Sequence, residues 1–164
     1  MGQLFYGYTT PKGVAGGLMD IAPYAINSRV NSEDEPGVLK FGMGAVVGTT
    51  PGVDVLVPDT DSTPSQFEGL VLTGFTNQMS MTGDVRIFPK QTVGLLRYGN
   101  AWARIDPDST PAYGDQLYLI TDGETAGLFT NDDGNGDNLA INGRFIGGPD
   151  AGDIAPVEIY NQSA

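Results

Sequence analysis

Apolar and polar residues alternate over several short windows of this chain, and nowhere do they trace a long helical stripe. Asp84-Val85-Arg86-Ile87, Ala101-Trp102-Ala103-Arg104-Ile105 and Val157-Glu158-Ile159 carry the two-residue period of a strand with one buried face. Three other windows, Val53 to Val57, Leu70-Val71-Leu72 and Gln116 to Ile120, are nearly all apolar and predict strands covered on both faces. Ile26 to Asn31 reads as a further extended segment, followed by an exposed turn over Ser32-Glu33-Asp34-Glu35-Pro36-Gly37. Turn chemistry recurs at Thr50-Pro51-Gly52, Pro58 to Pro64, Thr82-Gly83-Asp84, Asp106-Pro107-Asp108, Thr121-Asp122-Gly123 and Gly147-Gly148-Pro149-Asp150.

Glycine and proline decide the class. With 24 glycines and 11 prolines in 164 residues, the longest stretch free of both runs only from Tyr24 to Glu35, so long helices have no room. About ten short strands at this spacing predict an all-β, single-domain β-sandwich or small barrel over residues 26–164, with a jelly-roll arrangement as one way to close it. Residues 1–25 read differently. Pro11-Lys12-Gly13-Val14-Ala15-Gly16-Gly17 resists helix formation, while Leu4, Phe5, Tyr6, Tyr8, Leu18, Met19, Ile21 and Tyr24 are too apolar for a solvated tail. They predict an extended N-terminal arm that lies on a surface, either its own sheet or a partner.

Composition removes most chemistry. The chain has no cysteine and no histidine, which excludes disulfides, thiolate sites, imidazole bases and nearly every transition-metal site. The net charge of −12 with only eight bases opposes nucleic-acid binding. Charge is also uneven: residues 106–164 hold eleven acids against Arg144 alone, whereas residues 1–105 hold nine acids against seven bases. The C-terminal third is expected to face water and the earlier part to carry any docking surface. The N-terminus lacks the pattern of a signal peptide and no run is long enough for an apolar membrane helix, so the expectation is a soluble chain made in the cytoplasm, with no membrane partner.

Candidate chemistry is thin. Asp133-Gly134-Asn135-Gly136-Asp137-Asn138 begins like a calcium loop, but Asn138 stands where the invariant glycine belongs and Arg144 where the bidentate glutamate belongs. A polar turn between two strands explains the segment 132–138 better. The pairs Asp59/Asp61, Asp106/Asp108 and Asp132/Asp133 could serve acid–base hydrolysis in principle, yet each sits among turn-forming residues. The glycines of Gly42-Met43-Gly44-Ala45-Val46-Val47-Gly48 lack the following helix of a dinucleotide site and mark a bulge or a close strand approach. Trp102 shares its strand face with Arg104; sealing a sheet or a subunit interface is favoured over a carbohydrate-stacking platform. No catalytic residue, metal ligand or cofactor site is expected.

Order adds what composition lacks. Tyr98-Gly99-Asn100-Ala101-Trp102-Ala103-Arg104-Ile105, then Tyr113-Gly114-Asp115-Gln116-Leu117-Tyr118-Leu119, then Gly143-Arg144-Phe145-Ile146-Gly147, then Ala151-Gly152-Asp153-Ile154-Ala155-Pro156-Val157-Glu158-Ile159 follow one another as glycine-punctuated strands. Upstream stand Pro11 to Asp20, Val38-Leu39-Lys40-Phe41-Gly42-Met43-Gly44-Ala45-Val46 and Phe67-Glu68-Gly69-Leu70-Val71-Leu72. This series resembles the cement, or decoration, proteins of tailed-bacteriophage capsids. The resemblance implies a non-enzymatic structural virion protein on the capsid exterior, forming a homo-oligomer (dimer or trimer) and bridging neighbouring subunits of the major capsid protein against internal DNA pressure. The alternative is a carbohydrate- or receptor-binding β-module of a phage fibre or secreted protein. Expected capsid or subunit contacts are the arm residues Leu4, Phe5, Tyr6, Tyr8, Val14, Leu18, Met19, Ile21 and Tyr24, with Trp102.

Overall fold

A computed structural model describes residues 13–74, 85–150 and 153–160, and among them there is no α-helix. The strands are β1 (Ala25–Asn31), β2 (Gly44–Val47), β3 (Asp54–Leu56), β4 (Phe67–Val71), β5 (Thr92–Arg104), β6 (Gln116–Leu119), β7 (Phe129–Thr130), β8 (Leu139–Phe145) and β9 (Ile154–Ile159). They hydrogen-bond in the order β1-β3-β2-β4-β5-β9-β8-β6-β7, and a second pairing of β1 with β5 closes the first five into a barrel. Closure removes the edges that an open sheet would leave. The barrel is mixed, because β1 runs parallel to β3 while the other barrel pairs are antiparallel. Of the two expected architectures the small barrel is the one present; this strand order does not show a jelly roll.

β5 joins the two halves. Its first part pairs with β1 and β4, and from Gly99 onward it pairs with β9, so one 13-residue strand serves both barrel and outer sheet. Side-chain alternation then builds two cores. Leu39, Ala45, Val55, Val71, Ile87, Val93 and Leu95 fill the barrel. Their strand neighbours Val46, Leu70 and Leu96 point the other way and pack with Leu117, Leu119, Phe129, Phe145 and Val157 of the outer sheet. Phe67 and Phe129 meet edge to face at 6.4 Å across that layer.

Several expectations change in the structure. Leu70-Val71-Leu72 is buried on both faces as expected, but in Val53 to Val57 only Val55 is buried, and Gln116 to Ile120 alternates, with Leu117 and Leu119 buried and their neighbours partly or fully exposed. The alternating window at 84–87 does not form a strand: Val85 makes an isolated bridge, and Ile87 reaches the barrel core from a connection. Asp84 lies outside the described residues. Conversely, Thr92 to Leu96 is strand although its apolar pattern is broken by Gly94 and by the adjacent Leu95 and Leu96, which serve the two different cores.

Candidate functional site

The described part of the arm lies on β5. Leu18 bridges Ala101 antiparallel, Met19 donates to the Asn100 carbonyl at 3.0 Å, and Trp102 donates to the Gly17 carbonyl at 2.9 Å. This is a one-bridge strand on the side of β5 that β9 does not cover. Gly16 makes it possible. Its φ of +77° suits glycine, and a Cβ there would lie 2.7 Å from the Val71 carbonyl oxygen and 2.8 Å from the Thr73 nitrogen. At that close approach Gly16 donates to the Trp102 carbonyl and accepts from Thr73, both at 2.8 Å. Gly42 lies against Gly16 and accepts from Arg104, which is the close strand approach expected of the glycine-rich segment.

No described residue pairs with the other side of this short strand. Met19 N–H and Gly17 C=O point at β5, so Leu18, in a pair of the non-hydrogen-bonded kind, turns its own N–H and C=O outward. Neither group has a partner among the described residues. Exposed apolar side chains flank it: Ile21 is fully exposed, Val14 is 62% exposed and Tyr24 51%, with Leu18 and Met19 also solvent-facing. Asp20 fastens the strand's end, accepting from the Asn100 side chain at 2.9 Å and from the Ala22 N–H at 3.0 Å. Tyr24 follows, its Cβ against Gly99 where β5 changes partners. The expected contacts Leu4, Phe5, Tyr6 and Tyr8 lie outside the described residues.

Trp102 is half-buried, and Gly13 rests directly on its indole ring, where a side chain would have no space. The indole thus joins the arm to β5. A sugar platform would need that covered face. Arg104, two residues on, directs its Nε to the Phe41 carbonyl at 2.9 Å.

A polar cluster on the outer sheet was missed in the sequence. Register places Glu158 beside Asn100 of β5 and Arg144 of β8. Arg144 Nε donates to Glu158 Oε2 at 2.8 Å, the Tyr160 hydroxyl donates to the same oxygen at 2.7 Å, and the guanidinium lies 5.4 Å from the Tyr113 ring centre. The Tyr160 hydrogen bond first, and Arg144 second, hold the Glu158 carboxyl below its ordinary range, against burial and the nearby Asp20 charge. The same bond pushes the Tyr160 phenol up. Glu158 and Tyr160, two residues apart on one strand face, were the available signal.

The remaining acids behave as turn formers. Asp59 accepts from the Ser62 hydroxyl and the Asp61 N–H, Asp106 from the Asp108 N–H, Asp132 from the Gly134 N–H and Asp133 from the Asn135 N–H. The segment 132–138 is the expected polar connection between strands, built on a single 3-10 turn at Gly134–Gly136. Among the described residues no group of three acids is arranged to hold a metal ion. Asp115 is held below the usual range by the Ala112 N–H and by Asn131, the opposite of what a general acid needs.

Comparison with known proteins adds the identity. No curated protein matches the chain. Among solved structures, a chain from the capsid of Myoviridae phage XM1 has the same fold, with a TM-score of 0.69 at 19% identity, covering 98% of this chain and 99% of that one. The family model described as structural cement protein (E217 gp24/Pam3 gp6) matches residues 1–160. Matched over residues 1–160, this all-β chain belongs to the phage structural cement protein family, a non-enzymatic component of the phage capsid.

Proposed function

We propose that this cement protein sits on the capsid exterior and bridges neighbouring major capsid subunits, using the open edge at Leu18 and the apolar side chains around it as one contact. The observation that carries the reading is that edge. An outward N–H and C=O flanked by Val14, Met19, Ile21 and Tyr24 offers a partner strand both backbone hydrogen bonds and apolar pockets. A homo-oligomer, dimer or trimer, would present several such edges to equivalent subunits. Opening a joint would then require breaking two attachments at once. The acidic residues after Asp106 suit the solvent side of such an assembly.

Deleting the whole arm would also uncover Trp102 and an edge of β5, so a point change tests the reading more cleanly. Ile21→Asp alters a fully exposed side chain and is expected to leave Tm unchanged while weakening binding to capsids that lack the protein by at least about tenfold. Unchanged capsid binding would remove Ile21 and its surface from the contact.

A further inference from the structure

Three of the chain's eight bases, Lys40, Arg86 and Arg104, converge on one hollow of about 350 Å³ between the connection at 36–41, the segment 85–87 and the end of β5. Two of them, Lys40 and Arg104, have no carboxylate partner among the described residues, although like charges repel unless something offsets them. The two arginines are also held in place. Arg104 donates through its backbone to Gly42 and through Nε to Phe41, which fixes the guanidinium and leaves both terminal nitrogens without an acceptor among the described residues. The Arg86 stem lies against Gly37, whose N–H donates to Ile87. Lys40 is exposed and pairs with no carboxylate among the described residues. Glu124 and Asp153 line the adjoining hollow, which Lys40 and Arg104 share, but no ion pair joins them to either base.

We infer that this hollow recognises a carboxylate, and that its occupant is an extended glutamate-bearing segment of a capsid subunit. An arginine held by Nε offers a two-pronged donor that matches a carboxylate, and Lys40 adds a mobile charge beside it. Phe41 and the exposed Val85 supply an apolar wall for the side-chain stem. The hollow also adjoins the open edge: Gly42, next to Phe41, lies against Ala15 and Gly16 of the arm. One extended segment could pass from one to the other. The capsid origin of the segment rests on the reading given above; the carboxylate specificity does not.

The test is a titration of the 15N-labelled full chain with acetyl-Glu-Leu-Glu amide at low salt, followed by NMR. Saturable shifts at the amides of residues 37–41, 86–87 and 104 are expected, absent with acetyl-Gln-Leu-Gln amide and weakened at least tenfold in Lys40→Glu, an exposed change that preserves the fold. Three results would overturn the inference: no saturable shift, equal shifts from the glutamine peptide, or equal binding by Lys40→Glu. Inorganic phosphate saturating the same amides at lower concentration would also overturn it, assigning a phosphate site instead. Capsid sedimentation of wild type and Lys40→Glu separates the two ideas. Equal binding of both, with no peptide binding, refutes the carboxylate site and leaves the cement reading intact.

Discussion

Gly16→Ala is the sharpest perturbation of the contact surface. Alanine at a φ of +77° costs roughly 1–2 kcal/mol. The new methyl group would stand 2.7 Å from the Val71 carbonyl and 2.8 Å from the Thr73 nitrogen, both backbone, so relief requires moving Gly16 away. That sacrifices two hydrogen bonds of 2.8 Å, to Trp102 and from Thr73, worth about 1 kcal/mol each. The docked arm should therefore lose roughly 3–4 kcal/mol, while the two cores, which contain no arm residue, should not change. Native-state hydrogen exchange reads this directly, because the Trp102 and Thr73 amides are protected by arm carbonyls. Their exchange should accelerate roughly 100- to 1000-fold, with Leu95 and Val157 unaltered. Gly52→Ala is the control: φ is +78°, nothing lies within 4 Å of its Cβ, and only the conformational cost remains. Uniform acceleration of core amides in Gly16→Ala, or equal effects of the two substitutions, would refute the reasoning.

The other expectations follow from the cores and the outer sheet. Phe129→Ala removes a fully buried ring and its edge-on contact with Phe67; a loss of about 3–5 kcal/mol is expected in urea unfolding. Asn31 is fully buried, donates to the Phe88 carbonyl and accepts from the Glu33 N–H, so Asn31→Ala should cost about 2–3 kcal/mol by orphaning both, with the slope against urea unchanged. Glu158 has its carboxyl held low in the folded chain. Its contribution is present above the unfolded glutamate range and is lost as pH falls through the lower folded value. Glu158→Gln should flatten the fall of Tm across that acidic window, and an unaltered profile would remove Glu158 from the account.

Strand-forming windows were legible because their signals are local. Glycine and proline spacing barred helices, and the alternation around Trp102 located β5, whose chain neighbours set which face is apolar. Closure of the barrel was not legible, since β1 meets β5 about seventy residues later and meets β3 in parallel, pairings that no neighbouring residue encodes. Sequence distance also hid the basic cluster. Lys40, Arg86 and Arg104 are ordinary isolated bases in the sequence, and only the folded connection at 36–41 brings them to one hollow. The arm was legible as an apolar segment seeking a surface. That Gly13 to Met19 would use β5 for one side and leave Leu18 open on the other depends on the backbone at Gly16, which glycine permits but does not announce.

The central claim is attachment to a capsid lattice, and sedimentation of the full chain with purified mature capsids lacking it tests that claim most directly. Bound copies per major capsid subunit should saturate at a simple symmetry-related ratio. Absence of co-sedimentation with the cognate shell, or binding that rises without saturation, would contradict it.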